Sequence, residues 1–79
     1  IKMETKEKIA SDIEKLENSL KQVKKIKVNT KEEEVIARAI DYKNDSKYYL
    51  DKKDMRTSFG CIEYSHGLLD AIRMIHDLI

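Results

Sequence analysis

Residues 55–79 read MRTSFGCIEYSHGLLDAIRMIHDLI, and the placement of their apolar side chains decides the fold. Met55, Phe59, Ile62, Leu68, Leu69, Ile72, Met74, Ile75, Leu78 and Ile79 recur at helical spacing, yet they spread over more than half of the helical wheel. A helix on the surface of a domain buries one stripe and turns the rest to water. This one has too many apolar sides for that role. It must touch two neighbours, or one neighbour and another chain, and so it belongs at the centre of whatever forms. Asp54 supplies an N-cap, and the helix is predicted over residues 55–78.

Working upstream, Ile9, Ile13, Leu16, Leu20 and Val23 fall at steps of 4, 3, 4 and 3, a heptad seam. It predicts a helix over residues 3–27, with Glu17 and Lys21 at the favourable i, i+4 spacing. Lys21, Lys24, Lys25 and Lys27 gather at its end, where cations complement the partial negative charge of a helix C-terminus. Residues 1–28 carry a surplus of three positive charges and residues 54–79 a deficit of two, a modest help to packing the two helices together. Between them, Thr30 and Glu33 have the spacing of a capping box. They predict a helix over 31–51 with Glu32, Glu33 and Glu34 in its first turn and a stripe of Val35, Ala39, Tyr42, Ser46 and Tyr49, widened by Ile36, Ile40 and Leu50. Asp51-Lys52-Lys53 forms a tight connection. Helices of about 24 residues would each span roughly 36 Å. Short turns force antiparallel neighbours. The expected fold is therefore all-α, an antiparallel up-down-up three-helix bundle forming one domain over residues 1–79. In the competing arrangement, the first helix projects as a coiled-coil arm from a hairpin of the other two.

Composition supports this class. Of 79 residues, 39% are charged and 6% aromatic, with two Gly and no Pro or Trp, which argues against a sandwich or barrel. At 41% hydrophobic the chain is not expected to be disordered. Sixteen basic and fifteen acidic side chains leave a net charge of +1, so no global field draws in nucleic acid or anionic lipid. The longest apolar run is three residues, far short of a membrane span, and no segment has the order of a signal peptide. The single Cys61 cannot form an internal disulfide and suits a reducing, cytoplasmic setting.

Several residues ask for a chemical reading. Gly60 and Gly67 lie seven apart on the third helix, where each Gly costs about 1 kcal/mol relative to Ala. Either Tyr42 or Tyr49 covers the bare backbone from inside, which the sequence favours, or the glycines line a groove for a second subunit. Glu63 and His66 make Glu-x-x-His, half of a di-metal pattern. Its second copy is missing, so a hydrogen bond within the helix is the expectation and no metal or cofactor is assigned. His66, Asp70, Arg73 and Asp77 share one face and predict a surface salt-bridge ladder or a polar patch for a partner. Arg73 and His76 are too close in sequence for the Arg–His pair of helical-bundle ribonucleases. The lysines at 21–27 lack interleaved aromatics for base stacking. Tyr48 and Tyr49 adjoin, so one of them is exposed and available as a contact. Cys61 reads as a small, partly buried hydrophobe.

The stretch Tyr42-Lys-Asn-Asp45-Ser46-Lys-Tyr48-Tyr49-Leu50, then Lys53-Asp54, then Tyr64-Ser65-His66-Gly67-Leu68-Leu69-Asp70-Ala71 resembles an uncharacterised archaeal family of short helical proteins, domain of unknown function 357. The family pattern is Tyr-x-x-Asp-Ala, a Lys-Gly-Asp-Tyr turn, and Tyr-Ala-x-Gly-Leu-Leu-Asp-Ala. This chain has Lys53 for the turn Gly and Met55 for the turn Tyr. The resemblance implies a helical fold and an archaeal source and no activity. The same hairpin is similar in outline to one tetratricopeptide-type unit, but a single unit makes no repeat array.

The sequence thus points to a non-enzymatic protein–protein interaction or assembly module, partnered by itself as a homodimer or by another protein. Tyr48, Gly60, Tyr64, His66, Gly67, Asp70 and Arg73 are its candidate surface. No catalytic residue, small-molecule ligand or membrane contact is assigned. The alternative is an RNA-binding or RNA-processing domain using the basic end of the first helix.

Overall fold

Each helix begins where a side-chain oxygen meets amide groups that the first turn leaves free. The computed structural model describes residues 5–79 and contains α1 (Lys6–Val23), α2 (Thr30–Asp51) and α3 (Met55–Ile75). Thr5 Oγ1 accepts from the Lys8 amide at 3.1 Å, and Asp54 Oδ1 accepts from the Thr57 amide at 3.2 Å. At α2, Asn29 Oδ1 accepts from the Glu32 amide at 2.8 Å while Glu32 Oε1 accepts from the Asn29 amide at 2.9 Å. The capping box is thus Asn29–Glu32, one residue upstream of the predicted Thr30–Glu33. Asn caps better than Thr, and Glu32 has a second partner in α3, described below.

The helices have 18, 22 and 21 residues; α1 and α3 are shorter than their predicted spans, and α2 is one residue longer, starting at Thr30. The predicted start of α1 at residue 3 lies outside the described residues. Its end comes at Val23 rather than 27, so Lys25 and Lys27 sit in the connection and only Lys21 falls in the last turn. At the end of α2, Asp54 N–H bonds the Tyr49 carbonyl at 2.9 Å and Lys53 N–H bonds the Leu50 carbonyl at 3.0 Å. That pair of bonds is the Schellman motif. It recurs at the end of α3, where Leu78 N–H bonds the Arg73 carbonyl at 2.8 Å and Asp77 N–H that of Met74 at 3.1 Å. This motif stops α3 at Ile75 instead of 78, although the apolar pattern runs on.

The motif needs a left-handed residue, usually Gly. Here Lys53 takes it at φ 64° and Asp77 at φ 56°. The turn position where the resembling family carries Gly is thus a left-handed site in this chain, occupied by Lys. Removing the Cβ there relieves its contact with the backbone. Lys53→Gly is expected to stabilise the domain by about 1 kcal/mol, read as a raised urea midpoint with unchanged slope. A lowered midpoint would contradict this geometry.

The heptad seam of α1 is buried in full: Ile9, Ile13, Leu16, Leu20 and Val23. It meets Ile62, Leu69 and Ile72 of α3 and Ala39 of α2 in one core. α2 and α3 make the most extensive contact, and α1 leans more on α3 than on α2. α3 is therefore the central helix, as its composition requires. α1 lies along the hairpin and does not project as an arm. The bundle measures 38 × 20 × 20 Å. Among the described residues no helix is long and apolar enough to cross a membrane.

Within the extensive α2–α3 contact lies a row of small, polar side chains. Ser46, Ser58 and Ser65 are fully buried beside Ala39. Ser46 Oγ donates to the Ser58 carbonyl at 2.8 Å, and Ser58 Oγ donates to the Ser46 carbonyl at 2.7 Å. Ser65 Oγ donates to the Ala39 carbonyl at 2.6 Å. Side chains this short let the two helices approach until hydroxyls reach across to main-chain oxygens.

Candidate interaction surface

α3 turns two flanks away from its buried stripe, and they differ in chemistry. The flank toward α1 is polar and already engaged. His66 Nε2–H donates to the Asp12 carbonyl at 2.8 Å, and Arg73 Nε–H donates to Gln22 Oε1 at 2.9 Å. Arg73 Nη1 also reaches Asp70 Oδ1 at 3.0 Å. Of the predicted salt-bridge ladder only the Asp70–Arg73 rung forms. His66 turns to a main-chain oxygen of α1, and Asp77 lies beyond the helix end. His66, Asp70 and Arg73 therefore close the α1–α3 seam and are not a free patch. Glu63 is exposed, and the ring of His66 points away to α1. Among the described residues no three His, Cys, Asp or Glu side chains gather where they could hold a metal ion.

Two further contacts tie the helices at their ends and edges. His76 Nε2 donates to Glu32 Oε2 at 2.7 Å, joining the end of α3 to the start of α2. Arg73 and His76 thus reach different helices and do not converge on a common point. The Glu32 carboxyl is held below its ordinary pKa chiefly by the Asn29 N–H, with His76 adding to the effect and burial opposing it. Because the folded value is depressed, this stabilisation is present above the ordinary carboxylate range and is lost as pH falls through the lowered value. Glu17 pairs with Lys47 at 2.8 Å, across to α2, rather than with Lys21. The Lys47 hydrogen bond is the main reason its pKa also falls. Lys43 stands farther off, at 3.9 Å.

The flank of α3 away from α1 has a different character. An added Cβ at Gly60 or Gly67 would meet nothing within 4 Å. The reading in which Tyr42 or Tyr49 covers the glycines from inside is thereby overturned. Tyr42 packs instead on Tyr64, edge to face with centroids 4.5 Å apart. Gly60, Tyr64, Gly67, Ala71, Met74 and Ile75 are all exposed on this side, Tyr64 at 49%, Met74 at 64% and Ile75 at 66%. Half-buried Thr57, Cys61 and Leu68 border them. Burial, then the negative charges of Asp45 and Asp54, push the Cys61 thiol up, so it is a neutral, poor nucleophile. On α2, Tyr48 is 57% exposed, stacks edge-on against half-buried Tyr49 and carries Lys52 5.5 Å from its ring.

The seven candidate residues thus divide between these places. Gly60, Tyr64 and Gly67 lie on the open face of α3, Tyr48 stands exposed on α2, and half-buried His66 and Arg73 bond α1, with Asp70 paired to Arg73. Sequence reading missed Thr57, Ala71 and Met74 as neighbours of the glycines. Their signal is a second run of three- and four-residue steps, which the larger apolar side chains of α3 outweigh.

These features define a small all-α bundle domain whose central helix keeps one face uncovered, uncharged apart from Arg56 and Glu63. The chain belongs to the family of proteins of unknown function called DUF357, whose sequence profile matches residues 11–78. No curated protein matches it.

Proposed function

We propose that this domain is a non-enzymatic protein–protein interaction or assembly module. One observation carries the reading. Along the outer flank of α3, Gly60, Tyr64, Gly67, Ala71, Met74 and Ile75 are exposed and uncharged, with Arg56 and Glu63 the exposed charges beside them, in a chain that is 39% charged. A small domain gains little by leaving such a helix face in water, and association is a common way to cover it. Tyr64 and Met74 are residue types enriched at the centres of interfaces. The His66, Arg73 and His76 side chains are spent on hydrogen bonds to α1 and to Glu32 of α2, and Asp70 on Arg73.

Sedimentation equilibrium over a wide concentration range tests it. The expected result is an apparent mass rising from 9.3 kDa toward an assembled form. A mass that stays at the monomer value throughout would remove self-assembly. The RNA reading has weaker support, from the exposed Lys24, Lys25 and Lys27 after α1. The aromatic side chains all lie on α2 and α3, so no stacking platform accompanies those charges. Binding of single-stranded or duplex RNA in a gel shift at low salt would revive it.

A further inference from the structure

Resting on the interaction reading above, we infer that the occupant of this face is a second copy of the chain, with α3 packed antiparallel on α3. Thr57, Gly60, Tyr64, Gly67, Ala71 and Met74 follow one another at steps of 3, 4, 3, 4 and 3. Read backwards, the steps are the same. A two-fold axis between residues 65 and 66 therefore sets Tyr64 over Gly67 of the partner subunit, Met74 over Thr57 of the partner subunit, and Gly60 beside Ala71 of the partner subunit. Each large side chain then meets a small one, so knobs and holes come from one and the same helix. A parallel pairing would set Tyr on Tyr and Gly on Gly, leaving clashes and voids that close packing does not allow.

Three further observations favour a second copy. The bare backbone at Gly60 and Gly67 has nothing within 4 Å inside the fold, so its cost to the helix has no internal return. The six positions carry no charge, and the axis sets neither exposed Arg56 nor exposed Glu63 beside them opposite its own kind, so the face meets itself without like-charge repulsion. From Thr57 to Met74 the stripe runs about 26 Å along a bundle 38 Å long, so a paired α3 would cover most of that side's length. An isologous two-fold contact closes at the dimer and exposes no further seam.

The test uses the full chain in a Cys61→Ser background. Gly60→Cys and Ala71→Cys variants are oxidised singly and as a mixture, with sedimentation of each sample. Both positions are open, so both variants should fold. The mixture is expected to give disulfide-linked dimer roughly tenfold faster than either variant alone, because only mixed pairs bring the two thiols together. Gly67→Asp should weaken association by roughly a hundredfold with helical content unchanged, since it buries an unpaired carboxylate twice across the axis. A stable dimer that ignores Gly67→Asp, or that cross-links as fast within one variant as in the mixture, overturns this arrangement and leaves the interaction reading standing. A chain that sediments only as monomer overturns both the arrangement and self-assembly.

Discussion

Ser58→Leu is expected to abolish the cooperative fold, while Ser58→Ala should cost only about 1 kcal/mol, the worth of one hydrogen bond. Ser58 and Ser46 are fully buried where α2 and α3 come closest, and each hydroxyl donates to the other's carbonyl at 2.7–2.8 Å. Alanine fits this space. It removes one donor, yet Ser46 Oγ keeps its bond to the residue 58 carbonyl. Leucine has no space to occupy, and overpacking a tight site costs about 1–3 kcal/mol before anything else is lost. Forcing the helices apart also breaks the reciprocal bonds and strands the Ser46 hydroxyl, adding about 1–3 kcal/mol. A domain of this length holds only about 4–12 kcal/mol in total, and Ser65 lies two turns along the same contact. Far-UV circular dichroism on heating should show a normal melt for the alanine variant and no sigmoidal melt for the leucine one. A leucine variant melting within a few degrees of wild type would mean the helices are not this close.

The same contact shows why the fold was legible and the open face was not. Ile9 to Val23 identified α1 because a heptad seam of large side chains has one physical meaning, burial against another element. Small residues are ambiguous. Ala39 and Ser46, Ser58 and Ser65, and Gly60 and Gly67 are all pairs seven apart, so each stays on one side of its helix. Gly60 is two positions beyond Ser58, a turn of about 200° at 3.6 residues per turn, so the serines and glycines of α3 face opposite ways. Glycine suggested close approach, but serine makes it, because a buried hydroxyl can complete its hydrogen bond on a neighbouring carbonyl. Helix ends were misplaced for a non-local reason. Glu32 is fixed as the capping residue by His76, 44 positions away, and α3 ends because Asp77 turns left-handed. Nothing local marks His66 and Arg73 as other than surface groups, because the Asp12 carbonyl and Gln22 that receive them belong to α1.

Leu69→Ala is expected to cost about 2–5 kcal/mol, a large share of the total, whereas Met74→Ala stays within about 0.5 kcal/mol. The two residues lie on one helix five positions apart. Leu69 is fully buried among side chains of α1 and α2, so truncation leaves a cavity that three packed helices cannot collapse. Met74 faces outward and loses little in the isolated domain. The melting midpoint should fall by at least about 10 °C for the first variant and barely move for the second. Concentration then separates packing from association. Anything that binds only the folded chain raises its midpoint with concentration, so wild type and Leu69→Ala should both show that rise while Met74→Ala shows a smaller one. Equal losses at low concentration would mean that α3 is not the centre of the bundle. An undiminished rise in Met74→Ala would mean that the outer end of α3 takes no part in assembly.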